Sequence, residues 1–123
     1  MITLTIPGTL PGMNDIIAEA RKSRWVSAEQ KKYHTELVKW SAIQAKLPKV
    51  EGRVNIHITW YEKSKQRDPD NIHAGTKFLL DGLVQAGVIK NDTQRYIGKI
   101  DHDEIRVDRN RPRVEIEITE VGG

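Results

Sequence analysis

Residues 53 to 61 alternate without interruption: Val54, Ile56, Ile58 and Trp60 fall on one face, Asn55, His57, Thr59 and Tyr61 on the other. An apolar face and a polar face at a period of two is a half-buried β-strand. Ile2, Leu4 and Ile6 alternate with Thr3 and Thr5 in the same way, up to the breaker Pro7-Gly8. Val114, Ile116 and Ile118 turn inward opposite Glu115 and Glu117, and a further strand is read over residues 95–107, with a charged hairpin tip at Asp108-Arg109-Asn110. A sheet with an apolar face has to be covered, and two helical segments can cover it. Ser27-Ala28-Glu29-Gln30 reads as a capping box with serine at the N-cap, followed by a stripe of Tyr33, Leu37, Trp40, Ile43 and Leu47 that stops at Pro48. Asp70 opens the second helix, with a core stripe of Ile72, Thr76, Leu79, Leu80 and Leu83 and a stop at Gly87. Residues 7–26 read as a loop holding a short helical turn from Asn14 to Ala20, with a basic tip ending at Trp25, which is expected to pack onto the core. The order β, loop, α, β, α, β, β predicts an α+β fold, a mixed sheet of about four to five strands packed with two main helices.

At 123 residues the chain has room for a single domain, residues 1–123, with a real core. No apolar run approaches the roughly 20 residues needed to span a bilayer, and the first residues lack a signal peptide's basic start and long apolar stretch. With no cysteine, disulfides, thiolate zinc sites and a cysteine nucleophile are excluded, and a reducing cytoplasm is the expected setting.

The stretch that carries chemistry is Asp68-Pro69-Asp70-Asn71, echoed by Asn91-Asp92. Carboxylates at i and i+2 beside a proline, with a third returning after a helix, suit a hard divalent cation. Mg²⁺ is usually held by one or two carboxylates plus waters and substrate phosphates. The competing explanations are structural: Asp70 as a helix cap and Asn91-Asp92 as a turn pair. A cap explains Asp70 and leaves Asp68 unexplained. Lys77, seven residues after Asp70, reads either as a group that neutralises a phosphoryl oxygen or as a surface partner of Asp81. Asp101-His102-Asp103-Glu104 reads mainly as an exposed charged strand, His57 as an imidazole with no clear partner, and His73 as a solvated helix histidine.

The net charge is +3, and the cations are clustered at Arg21-Lys22-Ser23-Arg24, Lys31-Lys32, Lys63 to Arg67 and Arg106 to Arg113. Clustered cations around an acidic site are what a polyanionic substrate needs, since phosphate neutralisation supplies most sequence-independent affinity. The residues read as DNA-binding are Arg21, Lys22, Arg24, Lys63, Lys65 and Arg67, and the chemistry is read as metal-assisted attack on a phosphodiester.

With these residues in place the chain resembles the RusA family of Holliday-junction resolvases over nearly its whole length. The resemblance is carried by Arg67-Asp68-Pro69-Asp70-Asn71, by Lys77-Phe78-Leu79-Leu80-Asp81-Gly82-Leu83, by Ala86-Gly87-Val88-Ile89-Lys90-Asn91-Asp92, by Arg111-Pro112-Arg113-Val114-Glu115-Ile116, and by Asn14. It implies a homodimeric, Mg²⁺-dependent endonuclease, with Mn²⁺ as an alternative ion, that resolves four-way junctions by paired symmetric nicks in recombination and repair. It also implies a bacterial cytoplasmic setting, in a host or prophage genome. Asp68, Asp70 and Asp92 would hold one or two metal ions that polarise the scissile phosphate and generate a hydroxide nucleophile. In the family pattern a lysine stands four residues after the second aspartate, where this chain has Ala74; Lys77 is the nearest lysine. Two other readings stand beside this one. One is a junction binder with silent catalysis, favoured by Ala74. The other is a metal- and nucleotide-sugar-binding glycosyltransferase, which also uses Asp-x-Asp but needs more chain than this.

Overall fold

The computed structural model describes residues 1–121. The alternating segments form a mixed sheet from β1 (Ile2–Pro7), β2 (Val54–Glu62), β3 (Ile97–His102), β4 (Arg106–Val107) and β5 (Arg113–Glu120). The spatial order is β1-β5-β2-β3. β2 is central, antiparallel to β5 along one edge and parallel to β3 and then β4 along the other. The register sets Leu4 opposite Ile116 and Ile116 opposite Ile58, so the alternation of each strand adds to one continuous apolar face. Leu4, Ile6, Val54, Ile56, Ile58, Trp60, Val114, Ile116 and Ile118 are all buried on it, as their alternation predicts.

That face is covered by helices. α1 (Met13–Lys22), α2 (Arg24–Gln44), α3 (Pro69–His73) and α4 (Thr76–Gln85) follow in chain order. Val38 and Ala42 of α2 and Phe78, Leu79 and Leu83 of α4 close the core. The two helices approach most closely at Gly82, where a Cβ would lie 2.5 Å from the Val38 side chain. α4 ends as expected at Gly87, whose φ of 79° lets its N–H reach the Val84 carbonyl while Val88 N–H reaches that of Leu83.

Several expectations are corrected. Residues 7–26 are largely helical: α1 occupies ten of them, opened by Gly12, whose N–H donates to Asp15 Oδ2 at 2.9 Å. α2 begins before the expected capping box, because Ser23 rather than Ser27 is its cap and accepts from Val26 N–H at 3.0 Å. The stripe expected to face the core does so only in part: Leu37 and Leu47 pack half-buried against it, Tyr33, Trp40 and Ile43 are exposed, and the buried row is Thr35, Val38 and Ala42. The second helix is interrupted at Ala74-Gly75, where Gly75 N–H bonds the Ile72 carbonyl and the turn tightens. The strand read over 95–107 divides into β3 and β4. Asp108–Asn110 is not a hairpin tip, because β4 and β5 flank opposite edges of β2 and the chain crosses its end. Asp108 N–H bonds the Glu62 carbonyl there at 2.8 Å, and Arg113 Nη1 donates to Asp108 Oδ2 at 2.8 Å.

Candidate active site

The acidic motif is positioned by the way β2 ends. Glu62 continues the inward alternation and is buried although charged. Arg67 reaches back to it with a two-pronged fork, Nε to Oε1 at 2.8 Å and Nη2 to Oε2 at 2.9 Å. Its remaining nitrogen donates to the Leu10 carbonyl at 3.0 Å and lies 3.6 Å from Asp15 Oδ2. Arg67 therefore ties the turn 63–67 to the segment before α1. The sequence reading gave this guanidinium to DNA phosphates; the structure commits it inside the protein.

Asp68 follows directly, with Pro69 in the first turn of α3. Asp68 occupies the N-cap position, yet its carboxylate accepts no cap hydrogen bond. Asp70 accepts one bond, from Asn71 N–H at 2.9 Å. Both carboxylates are exposed, and neither forms an ion pair among the described residues. Behind them Asn71 Oδ1 accepts from Asn14 N–H at 2.9 Å. A Cβ on Gly12 would sit 2.5 Å from that same oxygen, so glycine is what lets α1 seat on α3.

Asp92 lies beyond the end of α4, against Lys31, Asp81, Gln85 and Asn91. Among the described residues no three His, Asp or Glu side chains converge to hold an ion. Lys77 is exposed in the first turn of α4 and has no ionic partner there, because Asp81 turns to Lys31 at 4.0 Å. Since Ala74-Gly75 separates α3 from α4, the expectation that Asp70 and Lys77 share the face of one helix loses its premise. The donors themselves suit Mg²⁺: exposed carboxylate oxygens, free of competing cations, in a pair that leaves positions for water and phosphate.

A family model, endodeoxyribonuclease RusA, matches residues 7–119. The chain belongs to the RusA family. The match spans Asp68, Asp70, Lys77 and Asp92 together, and an endodeoxyribonuclease family leaves no place for the glycosyltransferase reading of Asp-x-Asp. Among curated proteins none matches the chain.

In this RusA-family chain the basic residues expected to meet DNA, Arg67 apart, form two exposed groups. Arg21 and Lys22 end α1 and Arg24 begins α2, so one sharp corner carries all three. Lys22 pairs with Glu19 at 3.2 Å, and no ion pair engages Arg21 or Arg24 among the described residues. Trp25 shares the corner at 76% exposure, so it does not pack onto the core as expected. Lys63 and Lys65 stand exposed on the turn between Glu62 and Asp68.

One cluster beside the acidic motif was not legible in the sequence. His73, at the end of α3, stacks on His102 of β3 with ring centroids 3.9 Å apart. Trp60 Nε1 donates to His102 Nδ1 at 3.0 Å. Loss of water holds both imidazoles below their ordinary pKa; the neighbouring His73 lowers His102 further, and Asp70 acts against the shift at His73. His73 is thus not a solvated helix histidine. His57 also has a partner, Asp103 Oδ2 at 3.8 Å, on the outer face of the sheet.

Proposed function

We propose that this protein is a Mg²⁺-dependent endonuclease that recognises four-way DNA junctions as a homodimer and resolves them by paired symmetric nicks in recombination and repair, in the bacterial cytoplasm of a host or its prophage. The observation that carries the reading is the pair Asp68 and Asp70. They stand in water at the start of a helix, and neither is absorbed by an ion pair. Their oxygens would hold the ion, with Mn²⁺ as an alternative metal; Asp92, which the fold of one chain sets apart from the pair, would join them as the third carboxylate only on assembly with DNA. When bound, such an ion polarises the scissile phosphodiester and activates water toward it. The chain supplies the rest. Arg67 and Asn71 fix the backbone on which the pair is carried, and Lys77 offers an exposed ammonium to the charge that builds on phosphate oxygens. Arg21, Lys22, Arg24, Lys63 and Lys65 would meet backbone phosphates, a contact that reads shape rather than sequence. Asp70→Asn is expected to lower the nicking rate by at least about 100-fold, because loss of an outer-shell partner alone costs a metal site about that much. Junction binding, followed by gel shift, should survive the change. A variant nicking at the wild-type rate removes Asp70 from the site.

A second reading keeps the junction and drops the chemistry. It is favoured by Ala74, which caps the end of α3 where the family pattern has a lysine. Junction binding without nicks in Mg²⁺ would establish it.

A further inference from the structure

The corner where α1 meets α2 carries a large aromatic side chain that neither the core nor the acidic site uses. Trp25 is 76% exposed. It is nevertheless held in place, because Ser23 ends α1 with extended backbone and caps α2 through its hydroxyl, so Trp25 stands in a capped first turn. Ala28, Glu29 and Lys32 follow at i+3, i+4 and i+7 and share its face of the helix. Because Ala28 is small, these residues leave a shallow, mostly apolar hollow beside the indole. The charges around that hollow are divided. Arg21, Lys22 and Arg24 stand at the corner, and no ion pair engages Arg21, Arg24, Lys32 or Glu29 among the described residues. The cations suit phosphate. Glu29, beside the ring, would repel a phosphate and instead suits the amino group of a base such as cytosine. An apolar protein surface seated here would have to bury the unpaired cations, which is unfavourable. A nucleobase with its backbone has no such difficulty, since bases stack on aromatic side chains while their phosphates run over cations.

We infer that Trp25 is the element that selects branched DNA, by stacking on a base left without a stacking neighbour at the branch point. Phosphate contacts are alike in a junction and in a linear duplex, so the cations of the corner cannot tell the two apart. In an intact duplex every internal base is covered on both sides. A side chain entering there must first unstack a base step, a penalty that the branch point has already incurred. The ten residues of α1 carry the corner about 15 Å from the seat of α1 on α3, or about four to five nucleotides from the phosphate offered to Asp68 and Asp70. The substrate in this inference rests on the junction-nuclease reading; the choice of residue rests on the corner alone.

The test is the affinity of the full chain for a synthetic four-way junction and for a linear duplex of matching sequence, by fluorescence anisotropy in EDTA so that neither DNA is cut. Wild type is expected to prefer the junction. Trp25→Ala is expected to weaken junction binding about 5- to 150-fold, the range for loss of one base–aromatic stack, and to leave duplex binding unchanged. Its thermal unfolding should match wild type, since the ring is exposed. Trp25→Phe keeps a stacking face and is expected to recover most of the loss, whereas Arg24→Ala is expected to weaken binding to both DNAs alike. A wild type that binds both DNAs equally overturns the inference. So does a Trp25→Ala variant that keeps its junction affinity, or one that loses both DNAs to the same extent. A light-scattering mass that differs between wild type and Trp25→Ala also overturns it, by giving the indole to a protein contact. Nicking in Mg²⁺ on the same samples separates the two ideas. A protein that never nicks, yet loses junction binding with Trp25→Ala, removes the endonuclease reading and keeps the stack; a nicking wild type indifferent to the change keeps the reading and removes the stack.

Discussion

Most carboxylates near the working end of this molecule are neutralised by a neighbour. Asp15 and Glu62 share Arg67, Glu19 meets Lys22, and Asp108 and Glu115 share Arg113. Against that habit Asp68 and Asp70 are left to water, and simple capping accounts for neither. The motif was legible because two aspartates around a proline are chemically distinctive at short range. Arg67 was not, because a sequence does not say whether a cation beside a charged turn faces out or in; only the buried Glu62 decides it. The consequence is measurable. Arg67→Ala leaves Glu62 buried without a counter-charge, and breaking such a pair costs about 3–5 kcal/mol. Chemical denaturation should register that loss, whereas a cation serving only DNA would leave stability within about 0.5 kcal/mol. The stacked His73 and His102, far apart in sequence, give a second prediction. Burial lowers both, and lowers His34 as well. Below about pH 6.5 the unfolded chain takes up protons that the folded chain declines, so stability is full above that value and falls as pH drops through it. A melting temperature lower at about pH 5.5 than at about pH 7.5 is expected, and an unchanged one would contradict this account of the pair.

At the level of elements, the strands were easier to read than the helices. From Val54 to Trp60 in β2 and from Val114 to Ile118 in β5 every inward position is apolar and every outward one polar or charged, so period and burial agree there. In α2 they disagree, because the larger aromatic side chains lie on the face that the single chain leaves open, and size was mistaken for burial. α1 has no buried residue, and its start is set by Gly12 and Asp15 rather than by an apolar stripe, which is why it passed for a loop. The α3–α4 break was hidden because Ala74 and Gly75 keep helical backbone angles while the hydrogen-bond pattern tightens around them. The start of α2 offers a direct comparison. Ser23→Ala removes the cap bond to Val26 and should cost about 1 kcal/mol, while Ser27→Ala, at the cap expected from sequence but three residues inside the helix, should cost a few tenths at most. Equal losses in thermal unfolding would return the cap to Ser27.

For the molecule as a whole, one covered face of the sheet sets everything else. Helices occupy the apolar side, the chain leaves β2 through the Glu62–Arg67 clamp, and the acidic motif emerges where α1 is seated on α3. The α+β class followed from strand alternation and the family from several motifs in order, since each needs only local pattern. How Asp92 relates to the other two aspartates needed the fold, and within one chain the three do not converge. The central claim is that these residues cut branched DNA with the help of a divalent ion. It is tested most directly by offering a synthetic mobile four-way junction and a linear duplex of matching sequence to the wild-type protein, with Mg²⁺ or with EDTA. Paired symmetric nicks in the junction that need Mg²⁺ and spare the duplex are the predicted result. Equal cutting of both DNAs, or junction binding with no nicks at any Mg²⁺ concentration, would contradict it.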